Sequence, residues 1–170
     1  MIIETTLRQI TPDDHKFLVD LHNDPIVLRN LTHPNPISMK QHVEWWNRIS
    51  HDPQQLRLIF MVNDQRVGLA KFYDIDKDNQ SCALGGDIHV THRGCGYAKH
   101  MWNLMLKVCF DDMKLHRVWL TTAAFNMTAI HVYHSLGFKD EGIQVQSLYR
   151  DGKFHDQICM HMLREQWKKS

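Results

Sequence analysis

The chain has 170 residues, 43% of them hydrophobic and 23% charged, with a formal net charge of +1. That length suits one domain spanning 1–170 with a sizeable core, and the near-neutral balance argues against the basic stripe of an extended nucleic-acid footprint. Four scattered cysteines without a C-x-x-C pair read as free thiols in a reducing compartment, the opening MIIETTLRQI lacks the pattern of a secretory leader, and no apolar run approaches the roughly 18 residues of a membrane span. The expectation is a cytoplasmic protein that binds neither nucleic acid nor membrane.

In chain order, Ile2 to Ile10 alternates as an edge strand would. Thr11-Pro12 opens a helix to about Leu21, with Thr11 as N-cap and proline at the first helical position. Asn23-Asp24-Pro25 interrupts it, Pro34-Asn35-Pro36 forms a rigid loop, and Ser38 with Gln41 makes a capping box for a helix across HVEWWNRIS. LRLIFMVN and RVGLAKFYDI, joined by a polar turn, predict a hairpin. SCALGGDIHV (81–90) is a third strand of that sheet, whose Gly85-Gly86 pair suggests a bulge or a close backbone approach.

From Tyr97 to Asp111 the residues Ala98, Met101, Trp102, Met105, Val108 and Cys109 fall at helical spacing. HRVWLTTAAF is a β-branched strand, Asn126 to Leu136 a short helix ended by Gly137, and IQVQSLYR-DG-KFHDQICMHML a closing hairpin. The order predicts a mixed α/β sheet.

Between the third strand and the long helix stands HRGCGYAKH, His92 to His100. A glycine-rich strand-to-helix turn exposes backbone N–H groups at a helix N-terminus, where they and the helix dipole favour phosphate. The stretch lacks the Gly-Lys-Ser/Thr ending of a P-loop and does not complete G-x-G-x-x-G. It does fit R-x-x-G-x-A, from Arg93 through Gly96 to Ala98. About thirty residues on, AFNMTAIHVYHSLGF carries Asn126, Ala129, Tyr133, Gly137 and Phe138.

These two ordered motifs resemble the GNAT superfamily of acyl-CoA-dependent N-acetyltransferases, and the resemblance covers nearly the whole chain. The ending GKFHDQICMHML and the segment LHNDPIVLRNLTHPNPIS are similar to the ribosomal-protein, polyamine and amino-sugar branches. The resemblance implies a single-domain α/β fold: a mixed, mostly antiparallel seven-stranded sheet, helices on both faces, and a cleft where the fourth and fifth strands splay. It implies acetyl-CoA as co-substrate. The diphosphate would lie on the backbone of Arg93, Gly94, Cys95, Gly96, Tyr97 and Ala98, with the Arg93 side chain as an extra contact. Pantetheine would pair with the edge at Ile88, His89 and Val90, and Asn126 and Ala129 would complete the cofactor side. Tyr133 takes the place of the acid that steadies the leaving thiolate.

An ammonium must lose a proton before it attacks. Asp87, on the strand beside the cleft, is the chosen base, with Glu44 or a chain of waters as alternatives. For the acceptor wall, Arg29, His42, Glu44 and Trp45 are the candidates. Basic, imidazole and aromatic groups there suit an anionic, ring-bearing amine such as a nucleotide-linked amino sugar. A polyamine or a protein N-terminus is the alternative acceptor, and a non-catalytic acyl-CoA sensor the alternative of another class. His89, His92 and Cys95 are spaced three apart, but they run from strand into loop and lack a completing cluster, so no metal is expected. The expected partner is a small-molecule amine, with a homodimer left open.

Overall fold

A computed structural model describes residues 3–167. Strand β1 (Thr5–Gln9) leads through a 3-10 turn at Pro12–Asp14 into α1 (His15–His22), α2 (Pro25–Asn30) and α3 (Met39–Ile49). Then come β2 (Leu56–Val62), β3 (Gln65–Asp76), β4 (Ser81–Ile88), a 3-10 turn at Val90–His92, and α4 (Tyr97–Lys107), which widens into a π turn over Val108–Asp112. Strand β5 (Arg117–Ala123), α5 (Met127–Leu136), β6 (Lys139–Arg150), β7 (Lys153–Leu163) and α6 (Arg164–Trp167) complete the described chain.

The seven strands form one sheet in the order β1-β2-β3-β4-β5-β7-β6. All neighbours are antiparallel except β4 and β5. The edge strand expected from Ile2 forms over Thr5–Gln9, and Ile2 lies outside the described residues. Registers decide which side chains share a face. Leu58, Ala70 and Gly86 align across β2, β3 and β4, as do Leu56, Phe72 and Leu84. This face buries Phe72 and Leu84 with Met101, Trp102, Met105 and Leu106 of α4 in the main core. Ile59, Leu69 and Asp87 align on the opposite face, toward Leu18 and Leu21 of α1 and Trp45 of α3. Helices therefore cover both faces, because the strand pattern is apolar on both sides.

Two local expectations change. The segment after Asn23 is not only an interruption. Asp24 accepts bonds from the Ile26 and Val27 amides at 3.0 and 3.1 Å and, with Pro25 at the first position, starts the separate helix α2. Nor do Gly85 and Gly86 form a bulge, for the β3–β4 register runs unbroken from Gly68↔Ile88 to Tyr73↔Ala83. Gly86 is small because a Cβ there would stand 2.5 Å from the Met101 methyl.

Candidate active site

Parallel pairing of β4 with β5 covers only Ser81↔Arg117, Cys82↔Val118 and Ala83↔Trp119. Beyond Ala83 the two strands part; two hollows open at the gap, and a third adjoins them on the α1–α3 face of the sheet. A cleft of about 490 Å³ runs from the Arg93–Ala98 loop to Asn126 and Tyr133. A polar hollow of about 320 Å³ holds Lys71, Asp87, Thr121 and Gln157. A third, of about 300 Å³, lies between the sheet and α1 and α3. Asp87 borders all three.

At the cleft's outer end Gly94 and Gly96 adopt φ +76° and +78°, and a Cβ on either would meet open space. They are glycine for the left-handed backbone and not for clearance. Gly96 caps α4, and the amides from Gly94 to Ala98 meet no protein acceptor among the described residues. Orphan donors at the positive end of an eleven-residue helix suit a bound anion. The Arg93 side chain folds back from this loop. Its Nε donates to the Ile88 carbonyl at 3.1 Å and its terminal nitrogen to Asp24 at 2.7 Å. Arg93 thus ties the loop to the cap of α2.

The open edge of β4 is shorter than expected. His89 N–H bonds to the Val67 carbonyl at 2.9 Å, and the His89 carbonyl accepts from His92 N–H at 2.9 Å, so neither is free for a ligand. Val90 has left the strand for the 3-10 turn, where its carbonyl accepts from Arg93 N–H at 3.4 Å. An antiparallel ladder alternates the direction of its amides. With His89 turned to β3, the amides of Gly86 and Ile88 turn to the gap. Ile88 stays at the edge, His89 and Val90 leave it, and Gly86 joins it.

Tyr133 comes from α5, which Asn126 caps by accepting from Ala129 N–H at 3.3 Å. The Asn126–Ala129 spacing is thus a capping bond, and both residues also line the cleft. The Tyr133 ring sits edge-on to Trp102, centroids 4.7 Å apart. Burial first, and then the nearby charge of Asp87, push its phenol above its ordinary value and keep it protonated. Asp87 Oδ2 accepts from Lys71 Nζ at 2.7 Å, each side chain about one-fifth exposed. This diagonal pair follows from the β3–β4 register, and sequence alone did not bring the two together.

Of the residues expected on the acceptor wall, His42 and Trp45 line the third hollow. His42 is buried and bonds to His15 at 3.0 Å. Burial, then the nearby His15, lower its pKa to about 4. Glu44 does not reach the hollow. It is exposed on the far side of α3, 4.0 Å from Lys40. Arg29 is also occupied elsewhere, donating to Asp151 at 2.7 Å and lying over the Phe125 ring at 4.2 Å. Arg57, not singled out in the sequence, lines both inner hollows. Among the described residues no group of three or more histidine, cysteine, aspartate or glutamate side chains is placed to hold a metal ion, and no helix is long and apolar enough to cross a membrane.

Known proteins resemble this chain in sequence and fold. The family model for an acetyltransferase (GNAT) domain matches residues 4–139. The spermidine N(1)-acetyltransferase of Vibrio cholerae is 27% identical over 167 residues, covering 96% of this chain and 95% of that protein. The L-amino acid N-acetyltransferase AaaT of Escherichia coli is 26% identical, covering 92% and 96%. The crystal structure of the Vibrio cholerae spermidine N-acetyltransferase with CoA and spermine superposes with a TM-score of 0.92 at 26% identity, covering 96% of this chain and 98% of that one.

Proposed function

The chain belongs to the acetyltransferase (GNAT) family, and on that premise we propose that it acetylates the primary amine of a small molecule by direct attack on acetyl-CoA. It is an acyl-CoA-dependent N-acetyltransferase with acetyl-CoA as its co-substrate. The observation that carries the reading of the site is the run of unpaired amides at the start of α4, opening onto the splayed edge of β4.

The diphosphate of CoA lies on the amides from Gly94 to Ala98 and neutralises the helix terminus. The pantetheine arm pairs with the β4 edge at Gly86 and Ile88, which brings the thioester toward Tyr133 and Asp87. The amine nitrogen attacks the carbonyl carbon, and an edge amide steadies the oxyanion of the tetrahedral intermediate. As the C–N bond holds and the C–S bond breaks, the Tyr133 hydroxyl donates to the departing sulfur. The nitrogen releases its proton toward water at the polar hollow. Asp87 serves there mainly by holding Lys71, since its carboxylate already carries an ammonium partner.

For the acceptor, two Escherichia coli and Vibrio cholerae relatives named for spermidine give more support to a polyamine than to a nucleotide-linked amino sugar. The amino-sugar reading also relied on Arg29, which is held by Asp151 and Phe125. Acetyl-CoA turnover measured over a panel of amines tests the reading. Acetylation of at least one small amine is the expected result. CoA binding without turnover on any of them would make the chain a sensor.

A further inference from the structure

The third hollow has a chemistry that the acetyl-transfer step itself does not use. Its walls are mostly apolar, with Ile10, Leu18, Leu21, Ile37, Trp45 and Leu69 drawn from α1, α3, the sheet and the loops between, and with His22, Gln41 and His42 as the polar side chains on the helix side. At about 300 Å³ it falls at the small end of ligand pockets. It meets the polar hollow at Arg57, Lys71 and Asp87, the charged residues common to both. Two cations against one carboxylate leave this junction one positive charge in excess.

Arg57 is held in place for such a role. It donates to the Phe72 carbonyl at 2.6 Å and to Gln55 Oε1 at 2.8 Å, while its buried Nε has no partner among the described residues. Lys71 and Asp87 largely satisfy one another. An acceptor entering here meets a greasy chamber behind a net cationic collar. Spermidine would carry further ammonium groups into that collar, where like charges at close range are unfavourable. A purely apolar amine would leave the excess charge unmatched.

We infer that the acceptor is an α-amino acid with an apolar side chain: the side chain fills the hollow under α1 and α3, the carboxylate faces Arg57 and Lys71, and the amine points across Asp87 to the thioester. This rests on the acetyl-transfer reading and chooses within its class of small amines. The reaction balances simply: the amino acid's nitrogen gains the acetyl group, CoA leaves as the thiol, and one proton goes to solvent.

Steady-state acetylation by the full chain, followed as free CoA thiol, tests this with L-leucine, L-phenylalanine, glycine, phenethylamine and spermidine. The expected kcat/KM for leucine or phenylalanine exceeds that for glycine, which lacks the side chain, and for phenethylamine, which lacks the carboxylate, by at least tenfold. Lys71→Gln removes one collar charge and is expected to lower the leucine-to-spermidine preference at least tenfold, a ratio that a mere loss of folded enzyme leaves unchanged. Spermidine as the best acceptor, or phenethylamine equal to phenylalanine, overturns the inference while leaving acetyl transfer intact. Turnover of no amine at all overturns both.

Discussion

Arg93 and Asp24 stand 69 residues apart in sequence and 2.7 Å apart in space, the guanidinium of one on the carboxylate of the other. The same carboxylate caps α2. The glycine loop before α4 is thereby fastened to the cap of α2, and in the proposed function Arg93 acts by positioning that loop for the diphosphate. Asp24→Asn and Arg93→Gln should each weaken CoA binding about 10- to 150-fold, the order of a hydrogen bond to a charged group. The double substitution should add little to either single one. Calorimetric titration of the four proteins checks this, and a fully additive double would mean that Arg93 contacts the cofactor independently of Asp24.

Tyr133→Phe keeps the ring against Trp102 and removes only the hydroxyl. Its turnover should fall about 100-fold or more, the usual scale of a lost general acid, with CoA affinity changed less than threefold. Because burial raises the phenol above its ordinary value, the wild-type rate should climb with pH as the amine deprotonates. It should show no alkaline decline below roughly pH 10, the value of a free tyrosine. A pH–rate profile for both proteins measures this.

Asp14 is the fully buried carboxylate of the chain's first turn. It takes bonds from Arg8 at 2.7 and 2.8 Å, from Arg66 at 2.6 Å, and from the amide and hydroxyl of Thr11 at 2.8 and 3.0 Å. The Arg8 hydrogen bond, foremost, holds its carboxyl far below the usual range. Its stabilisation is therefore complete above the unfolded aspartate value near 4 and is lost as pH falls through the acid range. Asp14→Asn removes a buried carboxylate whose two guanidinium partners are partly exposed; it should cost about 1–2 kcal/mol, the scale of a lost buried hydrogen-bonding group, and should flatten the acid limb of a melting curve against pH.

His42 titrates in the other familiar window. Its folded value of about 4 lies below the ordinary 6.5. The unfolded chain therefore binds the proton first, and stability falls as pH drops from about 6.5 toward 4. Urea unfolding at pH 7 and pH 5 should differ by on the order of 1–2 kcal/mol more in the wild type than in His42→Gln.

The sequence was informative where local chemistry dictates structure. The Ser38–Gln41 capping box appears as drawn, Ser38 accepting from Gln41 N–H at 3.3 Å and Gln41 accepting from Ser38 N–H at 2.8 Å. Gly137 ends α5 at φ +99°. The closing hairpin turns at Asp151-Gly152, though β6 begins at Lys139, four residues before the apolar run that suggested it. What stayed hidden depends on register and assembly. Lys71 meets Asp87 only because Leu69 pairs with Asp87 and not with a neighbour. The hollow between the sheet and α1 and α3 draws on Ile10, Leu21, Trp45, Arg57 and Leu69, which no window of sequence brings together. Glu44 and His42 are two residues apart on one helix, and only the packing of α3 shows that one is exposed and the other buried. His89 and Val90 continued the strand pattern in sequence, but the chain turns away after Ile88.

The most direct measurement compares CoA with pantetheine, which lacks the diphosphate and nucleotide, by calorimetric titration of the intact protein. Orphan amides behind two left-handed glycines should make CoA bind at least 100-fold more tightly, and Gly96→Val, which strains a φ of +78°, should erase most of that difference. Equal affinity for the two ligands, with circular dichroism showing a folded chain, would contradict the assignment of the α4 terminus as the diphosphate site.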